Sequence, residues 1–513
     1  MNAPACASLV LLSLPAFAYE AEVARSGGAL GNTVTYDMQG DPGELWGLAF
    51  STSEGPTPLV LFDPNDFRTL SVGFELIAQW QLGALDGAGQ ASLTFPLPAQ
   101  VSLQGLPFYT QMVTIPGVGT IVDEISNRVA FVLGLPQQTA NTIALMPEDL
   151  DLHTATTLAS QDVLFAGGTE DGPGGVFFAT DSYYIYDHQS AELEKLTATL
   201  SETRSFHTAT LLADGRVLTL GGADEGFVPR ITGEVFDPVT QTSTPTPNMS
   251  MARVGHSATL LNDGRVLVSG GTSNFDFSDP LGALSAVTDA CEIYDPVTNS
   301  WSPAAPLPQP RALHQASLLG DGTVLVTGGI EITQILFIDV PNITNDARRY
   351  DAGADAWLST ASFSGPRGLH AQLTLPSGDA LIVGGVDGDL VLQSFSPRDG
   401  CSIYNHQQNT WTQVASLSNA RAFPALVQSG SELLVFGGIE TFDLIQLSGT
   451  PVDEIESTDL SVLSWATLGQ TLLPRYQPVA TLFDNGERVL ISGSGDNGSG
   501  GSVPDFTAEL YIP

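Results

Sequence analysis

One lysine, Lys195, and sixteen arginines are the only full-time cations among 513 residues, set against 56 acidic side chains for a net charge of -39. A nucleic-acid partner is excluded on that balance, because neutralising phosphate takes a basic surface. Acidity of this size is expected of a secreted protein kept soluble by charge, and the competing reading is a dedicated cation-binding role. Cysteine is nearly as scarce, at three. Cys291 and Cys401 stand at one position of a repeat two units apart, so they are expected to be buried free thiols without a disulfide framework or a cysteine-based metal site. Long apolar runs are missing too. No segment after the first eighteen residues reaches the ~20 apolar residues of a membrane-spanning helix.

The first eighteen residues read as a signal peptide, apolar through Leu9-Val-Leu-Leu-Ser-Leu14 and ending in Ala16-Phe17-Ala18, the small-x-small pattern of a cleavage site. A secreted, extracellular or cell-surface location follows as the expectation, although the usual basic start is lacking.

What the chain has in quantity is an internal repeat. Glycine pairs close apolar runs at Gly167, Gly221, Gly270, Gly328, Gly384 and Gly437, with spacings of 54, 49, 58, 56 and 53, and a degraded copy follows at Gly493. A period near 50 predicts a propeller of four-stranded blades. In one copy, strand a is His256–Leu261, Asn262-Asp263-Gly264 signals a two-residue hairpin, strand b is Arg265–Ser269, strand c carries Glu292-Ile-Tyr294 and strand d begins near Trp301. The aromatic pair recurs as Tyr350/Trp357 and Tyr404/Trp411.

A hydrophobic run, a glycine pair, then a Tyr and a Trp at fixed offsets resemble the kelch repeat. The resemblance covers residues 140 to 513 and implies an all-β, seven-bladed kelch-type β-propeller over 137–513. The last copy lacks a strand d, and residues 141–145 are expected to supply it by pairing with the last blade, removing exposed edges. Residues 19–136 lie outside the repeat; short alternating runs such as Thr33–Tyr36, Leu45–Phe50 and Ala91–Phe95 predict a small antiparallel β-sandwich.

Strand direction sorts the loops onto two faces. The tight a–b and c–d turns share face two, while the b–c loops and d–a junctions share face one. The b–c insertions Asn274–Asp279, Gln334–Ile338 and Phe442–Gln446 carry apolar residues, which is where binding on a rigid scaffold is expected unless these loops fold back on neighbouring blades.

Arg204, Arg253, Arg311, Arg367, Arg421 and Arg475 occupy one d–a position. Two readings stand for them: a guanidinium ring that binds carboxylate, sulfate or a sugar acid, or a brace repeated in each blade. Replacing Arg311 and Arg367 with alanine separates these, since loss of binding without unfolding marks a site and loss of folding marks a brace. His153, His207, His256, His314 and His370 open strand a nearest the axis, and either ring a transition metal such as copper or satisfy a recurring backbone carbonyl. Acidic Asp496-Asn-Gly-Ser-Gly500 is the candidate for calcium, without the spaced carboxylates of an established loop.

The repeats are also similar to those of copper radical oxidases of the galactose oxidase type. That resemblance implies a copper-ligating Tyr directly before a repeat His, where this chain has Leu152, Phe206, Gly255, Leu313 and Leu369. Sialic-acid mutarotases of the kelch type are the other enzymatic alternative. No nucleophile elbow, zinc helix or phosphate loop is present. The expectation is a monomeric module, without a required cofactor and without assigned catalytic residues, that takes a glycan or protein ligand on face one.

Overall fold

The computed structural model describes residues 21–59, 68–73, 80–115, 122, 124–145, 150–172, 176–274, 286–335, 338–390, 394–441, 449–493, 495–496, 502–503 and 507–513. The leader segment, most of Asn274–Asp279, the Phe442–Gln446 loop and 497–500 therefore lie outside the described residues, as does the centre of Gln334–Ile338. No helix among the described residues is long and apolar enough to cross a membrane.

Alternation builds the first unit. Thr33–Gln39 turns Val34, Tyr36 and Met38 inward, as period-2 patterning requires. It lies between Glu22–Gly27 and Gln90–Pro96. A second sheet orders Gln81–Ala84, Leu45–Ser51, Pro107–Ile115 and Ile125–Val132. Trp46, Phe50, Met112 and Phe131 of that sheet share one core with Val34, Tyr36 and Met38 of the first, giving two layers packed face to face.

From residue 150 onward, sheets of one pattern recur. The third has Ser257–Leu260, Val266–Ser269, Cys291–Asp295 and Ser300–Ala304 hydrogen-bonded in that order. Strand b is buried along its whole length in six of these sheets, as in Val266–Ser269 and Val324–Thr327, and in all but its first residue, Glu432, in the other, because it is covered by blades on both sides. Seven sheets of this kind are described, one of them extended by two short strands. Their innermost strands, from Thr154–Thr157 round to Val479–Phe483, neighbour one another in sequence order, and the last also touches the first. Gln138–Leu145 pairs antiparallel with Thr507–Ile512 as the outermost strand of the last sheet.

The a–b hairpin differs from the expected two-residue turn. Only Gly264 has positive φ, at +86°. Its N–H bonds the Leu261 carbonyl at 3.0 Å, while Leu261 N–H bonds the Arg265 carbonyl at 2.8 Å, so the loop has three residues. Asp263 accepts from the Arg265 backbone and guanidinium at 3.1 and 2.7 Å, which holds it out of the left-handed region that a type I′ turn would demand.

The sandwich docks on face two. Arg25 Nη2 donates to Asp484 Oδ2 at 2.8 Å, and Arg488 Nε reaches the same oxygen at 3.2 Å. Both guanidiniums lie over the Phe131 ring, at 4.9 and 5.5 Å from its centre. Burial and the neighbouring Arg25 charge push the Arg488 pKa down to about 10. Gln189, in the c–d turn of the first blade, accepts from the Arg25 backbone at 3.1 Å. Asp484 begins the a–b turn of the last blade, so both anchors belong to face-two turns.

Candidate functional site

Each repeat arginine is a node between two blades. Its carbonyl accepts from the second glycine of the preceding blade: Gly222 N–H to Arg253 and Gly271 N–H to Arg311, both at 2.9 Å. Its guanidinium turns back into its own blade. Arg253 Nη1 donates to the Gly270 and Ala290 carbonyls at 2.7 Å, and Nη2 donates to Glu292 at 2.9 Å. Arg204–Glu234, Arg421–Glu456 and Arg475–Glu509 repeat the pairing at 3.3, 2.6 and 2.9 Å. These glutamates also accept from the chain three residues before the arginine, through Ser201, Ser250, Ser418 and Leu472 N–H.

This geometry corrects the ligand-ring reading of the arginines. Arg204, Arg253, Arg311, Arg421 and Arg475 are 0% exposed, and Arg367 is 3% exposed. The five guanidiniums with no exposed surface are sealed against in-blade partners and present nothing to a solute on face one, and the bracing alternative describes their contacts. The glutamates in strand c went unassigned in the sequence reading. Their signal was there, since Glu234, Glu292, Glu456 and Glu509 all sit three residues before the end of that strand segment, as in Glu292-Ile-Tyr-Asp295.

The first blade has Leu150 at the arginine position, and two of the six blades that carry the arginine depart from the pairing. In the fourth, Arg348 holds the glutamate position, and Arg311 uses Asp346 instead, at 2.6 Å. In the fifth, Ser402 holds it and Gly400 stands where Asp346 was. Arg367 hydrogen-bonds only carbonyls there, Gly384 at 3.1 Å, Gly400 at 2.7 Å and Ser364 at 3.2 Å, and lies over the Phe363 ring, 5.6 Å from its centre.

The five axial histidines do not converge on one point. Each ring reaches a hydroxyl of the preceding blade: His153 to Ser492 at 2.8 Å, His207 to Thr154 at 2.9 Å, His256 to Thr208 at 3.1 Å, His314 to Ser257 at 3.0 Å and His370 to Thr327 at 2.8 Å. The expectation of backbone carbonyl partners holds for His153, which also contacts Leu150 O at 2.8 Å. The rings fill the space left by glycine: a Cβ at Gly270 would lie 2.9 Å from His314 Cε1. Burial drives the pKa of His153 down to about 4 and those of His207, His256 and His370 to about 3. Their metal role is corrected accordingly. Among the described residues, only Asp162, Asp187 and His188 bring three potential ligand atoms within 4.8 Å, and the His188 ring already pairs with Asp162 at 2.8 Å.

The residue before each histidine, or before the proline that replaces it, marks the face-one mouth of the inner ring. Leu152, Phe206, Leu313, Leu369 and Phe423 have φ between +52° and +55°, conformations uncommon for such side chains. Phe206 N–H bonds Leu152 O at 3.3 Å, Leu313 N–H bonds Gly255 O at 2.8 Å and Phe423 N–H bonds Leu369 O at 2.9 Å. All five side chains are half-buried, leaving a collar of apolar edges. On face two, Gly320, Asp321, Arg349, Leu358 and His406 line a groove of about 650 Å³. There Arg349 pairs with Asp321 at 3.2 Å and braces the His406 carbonyl at 2.9 Å.

Glycine pairs, Tyr–Trp pairs and cyclically adjacent four-stranded sheets define a β-propeller of the kelch type, and the chain carries the kelch repeat. The kelch motif model matches residues 252–308. Kelch-like protein 36 of Bos taurus is 27% identical over 303 residues, covering 58% of this chain and 45% of the relative. Spermatocyte protein spe-26 of Caenorhabditis elegans is 29% identical over 162 residues, covering 31% of this chain and 27% of the relative. The chain thus spans less than half the length of these relatives. A solved structure of a fungal alcohol oxidase of the AA5 family, in complex with copper, is similar in fold, with a TM-score of 0.56 and 16% identity over 73% of this chain and 76% of that one.

Proposed function

We propose that this chain is an exported interaction propeller that takes a protein or glycan ligand on face one, around the apolar collar. The observation that carries the reading is the division of labour at the d–a junction. Five of its arginines are 0% exposed, whereas the Leu and Phe residues two positions later keep half-buried edges at the mouth in left-handed backbone. Kelch-repeat relatives and docking of the sandwich on the opposite face support it. A fold hosts many functions, so the ligand class rests on this surface.

Leu313→Asn with Leu369→Asn tests the collar, because asparagine tolerates positive φ and leaves the backbone in place. Retention on glycan and purified-protein arrays is expected to fall at least tenfold against Val297→Asp, a control at a 92% exposed face-two turn. Equal retention by the two variants refutes the assignment. The copper oxidase alternative draws on the fold likeness alone; stoichiometric copper with peroxide release on sugars or alcohols would establish it.

A further inference from the structure

The fifth blade contains a buried cation whose usual counter-charge is missing. In the second, third, sixth and seventh blades a glutamate stands between the arginine and the backbone N–H three residues before it. The fourth blade lost both halves together: Pro308 occupies the donor position and has no N–H, and Asp346 supplies the charge from elsewhere. The fifth lost only the acid. Ser364 remains, matching Ser201 and Ser250, whose N–H and hydroxyl groups both bond the glutamate in their own blades at about 3.0 Å. Its N–H and hydroxyl have no partner among the described residues.

No carboxylate among the described residues bonds Arg367, although the charges of Asp399 and Asp387 act on it from a distance. Arg367 forms no ion pair among the described residues and is 3% exposed. Burial pushes the Cys401 thiol up to about 12, so it stays neutral. Asp399 is exposed and bonds neither guanidinium through its carboxylate. Arg398, 42% exposed and paired with Asp387, adds a second cation at the rim. The side chains around the guanidinium are also smaller here than in sister blades. Ser402 is three heavy atoms shorter than glutamate, and Gly400 is so close that a Cβ there would sit 3.2 Å from Arg367 Nη2. An uncompensated charge in such a setting is costly.

We propose that the fifth blade holds a carboxylate-binding niche on face one, formed by Arg367 Nη2, the Ser364 N–H and hydroxyl, and Ser402, in which a ligand carboxylate takes the place that glutamate fills in sister blades. Binding forms charge-assisted hydrogen bonds and breaks only the long Arg367–Ser364 carbonyl contact. The exposed Ser364 and Arg398 form its entrance. The niche stands apart from the identity of the collar's ligand, and its test leaves the collar reading intact.

The probe is [13C]formate titrated into the whole protein at fixed ionic strength, read by NMR line broadening and by thermal unfolding. Saturable broadening and a Tm rise of about 2 °C are expected. Ser402→Glu places a tethered carboxylate in the niche and is expected to abolish both responses. Absence of saturable broadening in the native protein overturns the proposal, as does a folded Ser402→Glu that still responds. If that variant does not fold, Ser364→Ala, an exposed change, decides: it is expected to weaken formate binding about threefold, and unchanged binding overturns the niche. A blocked peptide with one glutamate distinguishes the source of the carboxylate. Competition with formate assigns the niche to a partner's acidic side chain, and its failure assigns the niche to small carboxylates.

Discussion

Histidine and arginine carry opposite electrostatic tasks at neighbouring positions of the repeat. Outside the fifth blade the buried charge of the arginine is met by a carboxylate and by backbone carbonyls. The histidine three residues on is buried without a counter-charge and must remain neutral to keep its place. His207, His256 and His370 are held near 3 by burial and by the adjacent arginine. Unfolded histidine titrates near 6.5. Between those values the unfolded chain binds protons that the folded one refuses, so the stability present above pH 6.5 is lost as pH falls toward 4. Each such histidine accounts for roughly 3 kcal/mol over that window. Thermal unfolding from pH 7 to 4.5 should show a falling Tm, with a shallower slope in His256→Gln than in the native protein. An identical slope would place the acid sensitivity elsewhere.

At the scale of strands and turns, glycine positions divide by what surrounds them. Gly270 has φ +61°, and a Cβ there would lie 2.3 Å from the Arg311 carbonyl, the atom joining one blade to the next. Gly264 has φ +86° with open space around it. Gly264→Ala is expected to cost about 1 kcal/mol through backbone strain alone, and Gly270→Ala about 3 kcal/mol or more because the blade junction must shift. Denaturant unfolding of the two variants checks the order.

Much at this scale was legible in the sequence. Gly-Gly, Asp-Gly and Tyr–Trp spacings located strands a to d within a residue or two, because each is a local signal with one backbone solution. The aromatic pair is a direct cross-strand neighbour, Tyr294 opposite Trp301 with ring centres 5.1 Å apart. What was not legible depended on contacts distant in sequence. A single repeat copy does not tell whether Arg253 faces solvent or turns inward to Glu292, 39 residues on. Nor does Asp-Gly reveal that Asp263 prefers its own arginine to a type I′ turn. The histidine partners were missed because they are hydroxyls of the preceding blade, as with Thr154 and His207.

The whole molecule is a ring with an accessory sandwich fixed to one face. Asp484 is the pin, since its carboxylate faces both Arg25 and Arg488 while all three are nearly inaccessible. Asp484→Asn would leave two buried cations over Phe131 without an anion, and a loss of about 3–5 kcal/mol is expected. Limited proteolysis should then cut the sandwich before the propeller; equal protection in variant and native protein would show that apolar packing alone holds the two together.

Ring and ligand surface are separable on this account, because the repeat arginines brace the blades while the collar at the mouth meets the partner. The measurement that reaches this most directly is calorimetric unfolding of Arg253→Ala. Breaking a buried pair from one side leaves Glu292 uncompensated, so a loss of about 3–5 kcal/mol and a clearly lower Tm are predicted. An unchanged Tm would contradict the account and return the arginines to the ligand.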